Sequence, residues 1–172
     1  MKKIITLLIA VLLAFTSVFA VGCSSIPKDY KEAKSKLRKA GHPVYVVDDL
    51  KIFLMEVYYL CEIFEDEDVG NVIDVYDGFQ YELDDDYSHV FEKGIIRDWG
   101  DYDEEVVEFI FLAYFEDRNS AKAFYEDIEG DLEDLCACSI ETSDWKVNDE
   151  FVYGVSGKVV FFGTEGVLED LK

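Results

Sequence analysis

The sequence predicts an α+β domain, an antiparallel sheet with helices packed on one face, preceded by an N-terminal signal helix that is cleaved. Three observations carry that expectation. Ala121, Phe124, Ile128, Leu132 and Leu135 make a helical stripe from about Asn119 to Leu135, with Gly130 inside it. The run Glu105 to Glu116 is dense in Val, Ile and Phe, as expected of a central strand covered on both faces. Trp145 to Val155 and Lys158 to Phe162 bracket Ser156-Gly157, which reads as a hairpin.

The other elements follow in chain order. Tyr30, Ala33, Leu37 and Ala40 recur at helical spacing, with Asp29 as N-cap and Gly41 as the stop. Pro43 prevents further helix, and Val44-Tyr45-Val46-Val47, bounded by Asp48-Asp49, is a strand. Leu50 to Phe64 is apolar nearly all round; its pattern fits buried helix or strand, and its length favours helix. Between 65 and 105, Val72 to Tyr76 and Phe79 to Leu83 flank Asp77-Gly78, a pair suited to a tight hairpin turn. Gly163-Thr164 opens a last helix with Thr164 as cap. A helix followed by two strands, repeated, is what an antiparallel sheet with helical cover accommodates.

The first 23 residues have a different character. Met1 to Lys3 are positive, Ile4 to Val21 are apolar apart from Thr6, Thr16 and Ser17, and Ala20-Val21-Gly22-Cys23 is a small-residue processing site. This tetrapeptide resembles the lipobox of bacterial lipoproteins. The resemblance implies that residues 1–22 are a signal peptide, that Cys23 is lipid-modified and its new N-terminus acylated, and that residues 23–28 are a lipidated tether to one acidic domain over 29–172. The implied location is the cell membrane, lipid-anchored on the extracytoplasmic face. Two other fates fit the same residues. Ala20 and Gly22 satisfy the small-x-small rule for ordinary secretion, and the 18 residues Ile4 to Val21 lie near the lower limit for an uncleaved membrane anchor.

Charge narrows the possible partners. Lys2 and Lys3 belong to the leader, which leaves 14 basic residues against 38 acidic ones. Such a field repels nucleic acid phosphates, so no nucleic acid is expected as a partner. With half its residues apolar and 15% aromatic, the chain has the composition of a folded domain and not of an acidic tail. The exception to its acidity is residues 28–39, where Lys28, Lys31, Lys34, Lys36, Arg38 and Lys39 face only Asp29 and Glu32. Beside an anionic lipid surface, such cations are attracted to the headgroups. Lys31, Lys34, Lys36, Arg38 and Lys39 are therefore candidates for a membrane-facing helix, against the plainer reading of a solvated lysine face.

The lipobox, Tyr-Lys-Glu-Ala-x-x-x-Leu ending in Ala-Gly, Val-Tyr-Val-Val-Asp-Asp, Tyr-Phe-Glu-Asp followed by Ser-Ala-Lys-Ala-Phe-Tyr, and Ser-Gly-Lys-Val-Val-Phe-Phe-Gly-Thr together resemble small surface lipoproteins of Gram-positive, clostridia-like bacteria. The resemblance covers Tyr30 to Gly41, Val44 to Asp49, Tyr114 to Tyr125 and Ser156 to Thr164. It implies a fold and a location, and supplies no site residue.

Other constellations offer little chemistry. The acid clusters Glu65 to Asp68, Asp84 to Asp86 and Asp101 to Glu105 suit weak calcium binding, but none has the spacing of a dedicated loop: after Asp66 and Asp68, Gly70 stands where a ligand belongs. Cys61, Cys136 and Cys138 are too few for a zinc site, with His42 and His89 the only histidines; a disulfide from Cys61 to either of the others and a buried thiol both remain open. No Gly-x-Ser-x-Gly or His-Glu-x-x-His motif is present, and no catalytic residue, metal or cofactor is expected. Tyr76, Phe79, Tyr81, Tyr87 and Tyr102 form either an aromatic contact surface or a second small core. The expected function is a membrane-anchored, non-catalytic binding module, with membrane lipid as one partner through acylated Cys23 and an envelope protein or a cation as the other. A cell-envelope hydrolase and a weak calcium-binding surface protein are the alternatives. A transporter's solute receptor is disfavoured, because the chain lacks two similar lobes.

Overall fold

The computed structural model describes residues 26–64, 83–97, 108–142 and 151–172. Helix α1 (Tyr30–Ala40) starts at Asp29, whose carboxylate accepts the Lys31 amide at 2.8 Å. It stops at Gly41, whose φ of 100° lies in the left-handed region that a side chain makes costly. Strand β1 (Tyr45–Val47) leads into helix α2 (Leu50–Phe64). There Asp49 Oδ1 caps the helix by accepting the amides of Lys51 and Ile52 at 2.9 and 3.3 Å. The ambiguity over residues 50–64 is thus resolved in favour of helix.

Strand β2 (Phe91–Arg97) was not expected from the sequence. It follows a helical turn over 83–87, so Leu83 is not part of a hairpin strand. The rest of that expected hairpin lies outside the described residues. Next come β3 (Ile110–Phe115), then α3 (Arg118–Thr142), which runs seven residues beyond the expected Leu135. Asp117 opens α3 by accepting the amides of Asn119 and Ser120 at 2.7 and 2.9 Å, and these bonds hold its carboxyl below the usual range. Strands β4 (Phe151–Ser156) and β5 (Val159–Thr164) turn through Gly157-Lys158, one residue later than expected.

Helix α4 (Glu165–Glu169) closes the chain. Thr164 stands at its N-cap, but the side chain does not cap it. The hydroxyl instead lies 3.4 Å from both the amide and the carbonyl of Phe109, a site from which water is excluded. A buried hydroxyl needs a partner, and the neighbouring backbone meets that need first.

The five strands form one fully antiparallel sheet in the order β1-β2-β3-β5-β4. The α+β class and the antiparallel sheet are as expected. Strand β3 is central and entirely buried, and its alternation divides the interior in two. Phe111, Ala113 and Phe115 join one core with Phe53 of α2 and Phe124 of α3, where Phe115 and Phe124 have ring centroids 4.9 Å apart. Ile110, Leu112 and Tyr114 join the other with Ala33 and Leu37 of α1 and Val167 and Leu168 of α4. The two long helices cover one face, and the short helices α1 and α4 cover the opposite one, beyond the single covered face that was expected, because β2 and β3 carry apolar side chains on both sides.

A bulge explains how β2 serves both cores. Phe91 pairs with Phe115 and Lys93 with Tyr114, leaving Glu92 as an extra residue. The extra residue resets the alternation, so Phe91 and Ile96, an odd number of positions apart, enter the same core, and Ile95 enters the other. Gly94 faces α2 at a close approach: a Cβ there would lie 2.4 Å from Phe53 and 2.7 Å from Val47.

Candidate functional site

The charge exception in the sequence is helix α1, and its packing sorts the basic residues. Ala33 and Leu37 are fully buried, so the sheet takes that side of the helix. Lys31, Lys34 and Arg38 recur at i, i+3 and i+7, and Lys39 follows at i+8, on the side turned from the core; Lys34 is half-buried and the other three are exposed. Lys36 is different. Its ammonium donates to the backbone oxygens of Leu171 and Lys172 at 2.9 and 3.0 Å, which ties α1 to the residues after α4. It belongs to the scaffold and not to the outward face.

The acids bordering that face are already engaged. Glu32 lies 3.9 Å from Lys36, Glu169 lies 3.8 Å from Lys172, and Asp170 lies 2.7 Å from His42 Nε2. Lys31 sits 5.7 Å from the Tyr30 ring centroid, a cation-π distance. Arg38 reaches the Val44 carbonyl at 3.5 Å. Lys34 and Lys39 have no partner among the described residues. The outward face of α1 is therefore a cationic patch on an otherwise acidic protein.

Of the expected tether 23–28, the described residues Ile26 and Pro27 are packed against the domain. Ile26 is buried in the core beneath α1, and Pro27 is buried beside it. The hydroxyl of Tyr114, near the end of β3, donates to the Pro27 carbonyl at 3.0 Å, and the Tyr30 ring meets the Tyr114 ring edge-on at 6.4 Å. Burial, with Asp29 and Glu32 near, pushes this phenol far above its usual range, so it is a neutral donor. The described residues begin at Ile26, three after Cys23.

On the other face, a cavity of about 90 Å³ lies between α2, α3 and the sheet, lined by Phe53, Leu54, Phe111, Phe124, Ile128 and Phe162 among others. Among the described residues its one titratable lining residue is Asp131. The described lining suits an apolar group. The outer side of α3 carries the exposed acids Glu126, which lies 2.6 Å from Lys122, and Asp127, while the exposed Asp131 flanks the cavity. Tyr87 donates to Asp127, and burial together with that bond pushes its phenol up to about 12. Its ring packs edge-on against Phe115 and Phe124 at 6.5 and 5.3 Å, so of the five aromatic candidates this one joins the rim of the core.

The other sequence candidates separate as follows. Cys61 falls in α2, and Cys136 and Cys138 in α3. Cys23, Tyr76, Phe79, Tyr81, Tyr102 and the acid clusters 65–68 and 101–105 lie outside the described residues. Asp84 to Asp86 follow Leu83 on the helical turn before β2. Among the described residues no group of three or more His, Cys, Asp or Glu is placed to hold a metal ion, and no helix is long and apolar enough to cross a membrane. Comparison with known proteins finds no matching family model, no similar curated protein and no similar solved structure.

Proposed function

We propose that this chain is a lipid-anchored protein of the extracytoplasmic membrane face, a non-catalytic binding module that presents the acidic side of α3 to an envelope protein bearing basic groups. The supporting observation is the adjacency of Cys23 to the fold. Cleavage before Cys23 removes residues 1–22 and leaves the described contacts of Ile26, Pro27 and Tyr114 in place. The leader, with its positive start, apolar stretch and small-residue cleavage site, is of the exported kind. The outer side of α3, on the opposite face of the sheet from α1, has the charge that a basic partner complements.

Intact mass spectrometry of the protein extracted from its native membrane tests this reading, with Cys23→Ala alongside. The expected result is a mature chain beginning at Cys23 with added acyl mass, absent from the variant. An unmodified chain in the culture medium overturns the anchor.

A further inference from the structure

We infer that the outward face of α1, formed by Lys31, Lys34, Arg38 and Lys39, seats the domain on anionic phospholipid headgroups. The inference rests on the anchored reading above and gives it a second point of contact and an orientation. Two features of the molecule carry it.

The first is reach. From Cys23 to the buried Ile26 is three residue steps, which span about 10 Å at full extension. Were residues 23–28 free, the domain could tumble above the lipid. With Ile26 and Pro27 docked under α1, the helix begins within a few residue steps of Cys23. Its cations then stand within reach of the headgroups, at a distance comparable to the physiological screening length of about 8 Å.

The second is charge complementarity. Of the acids nearest the face, Glu32, Glu169 and Asp170 each have a cationic or imidazole partner, and the Asp29 carboxylate caps α1 by accepting the Lys31 amide. Lys34 and Lys39 have none among the described residues, and Lys31 has only the Tyr30 ring. The acidic side of α3 is separated from α1 by the sheet. Two helical layers with a sheet between them put those carboxylates roughly 20 Å away, more than two screening lengths, so they do little to oppose contact at α1.

Each cation near an anionic leaflet strengthens binding by about fivefold. The test uses the chain from Cys23 onward without lipid, which holds every described element, co-sedimented with vesicles of phosphatidylglycerol and phosphatidylcholine or of phosphatidylcholine alone. The expected result is binding to the anionic vesicles only, weakening as salt rises. A Lys31→Gln, Lys34→Gln, Lys39→Gln chain should bind about a hundredfold more weakly, while Lys122→Gln, on the other face, should match wild type. Thermal midpoints of both variants check that the fold is retained. Equal binding by the triple variant, no binding by wild type, or equal binding to neutral vesicles overturns the inference. Because the probe carries no acyl group, these outcomes are independent of the mass measurement that tests the anchor.

Discussion

Replacing Tyr114 by Phe removes a single oxygen from the place where the N-terminal segment joins the sheet. The ring stays, and with it the edge-on contact to Tyr30 at 6.4 Å. What is lost is the 3.0 Å hydrogen bond to Pro27, in a site where Tyr114 is 1% exposed. An ordinary hydrogen bond contributes about 0.5–1.5 kcal/mol net, and a carbonyl left buried without a donor costs about 1–3 kcal/mol. The upper part of that span applies, because Pro27 is itself buried and water does not easily replace the phenol. A loss of about 1.5–3 kcal/mol is expected. For a domain of this size that lowers the thermal midpoint by roughly 3–12 °C. Urea unfolding should show the same loss with unchanged slope, since the variant exposes no new surface on unfolding. Limited proteolysis should cut near residues 26–29 sooner in the variant, while β3 stays protected. A midpoint within 1 °C of wild type, with unchanged cleavage, would refute the idea that this hydroxyl holds the segment down.

Two further substitutions probe the other core. Gly94→Ala places a methyl group 2.4 Å from Phe53 and should cost about 1–3 kcal/mol as overpacking; adding Phe53→Leu should return part of that loss. Urea midpoints of the four chains give the coupling, and simple additivity would show that the close approach is not the cause. Tyr87 predicts alkaline behaviour. Its folded value of about 12 stands above the ordinary 10.0, so the protonated phenol is favoured by folding; its contribution is complete below pH 10 and is lost as pH climbs toward 12. Tyr114, raised in the same direction, adds to that decline. Urea midpoints across the alkaline range should fall more gently for Tyr87→Phe, and parallel curves would count against the Asp127 contact.

Elements whose signals are local were legible in the sequence. Asp29 and Gly41 bracket α1 because a cap and a left-handed stop are chosen within one turn of chain. The unbroken apolar run of β3 could be read as central because burial on both faces removes alternation. Strand β2 was missed for a physical reason: Glu92 interrupts the two-residue period, and Gly94, ordinarily a strand breaker, is there to admit Phe53. Thr164 has the residue type and the position of a cap, and only the tertiary approach of Phe109 diverts its hydroxyl. Of the candidate site, the basic composition of residues 28–39 was visible, but its division was not. Lys36 differs from its neighbours only through Leu171 and Lys172, 135 and more residues away in sequence. Ile26-Pro27, short and following two serines, has the look of linker until Tyr114 is seen to bind it.

The docking of Ile26 also sets how far an anchored copy can explore. A lipoprotein on a long stalk samples a tall volume and can meet partners well above the bilayer. In the anchored form proposed above, the three residue steps from Cys23 to Ile26 would give a leash of at most about 10 Å, and a domain of this length is about 40 Å across. Its outermost carboxylates would then stand within about 50 Å of the lipid. A partner buried deeper in the surrounding envelope is out of range unless it comes down to the membrane, whereas a neighbour embedded in the same bilayer is met by lateral diffusion. Confinement to a thin layer raises the encounter frequency with such neighbours, so a weak interface, lacking the large apolar area of a permanent complex, is enough to keep them together.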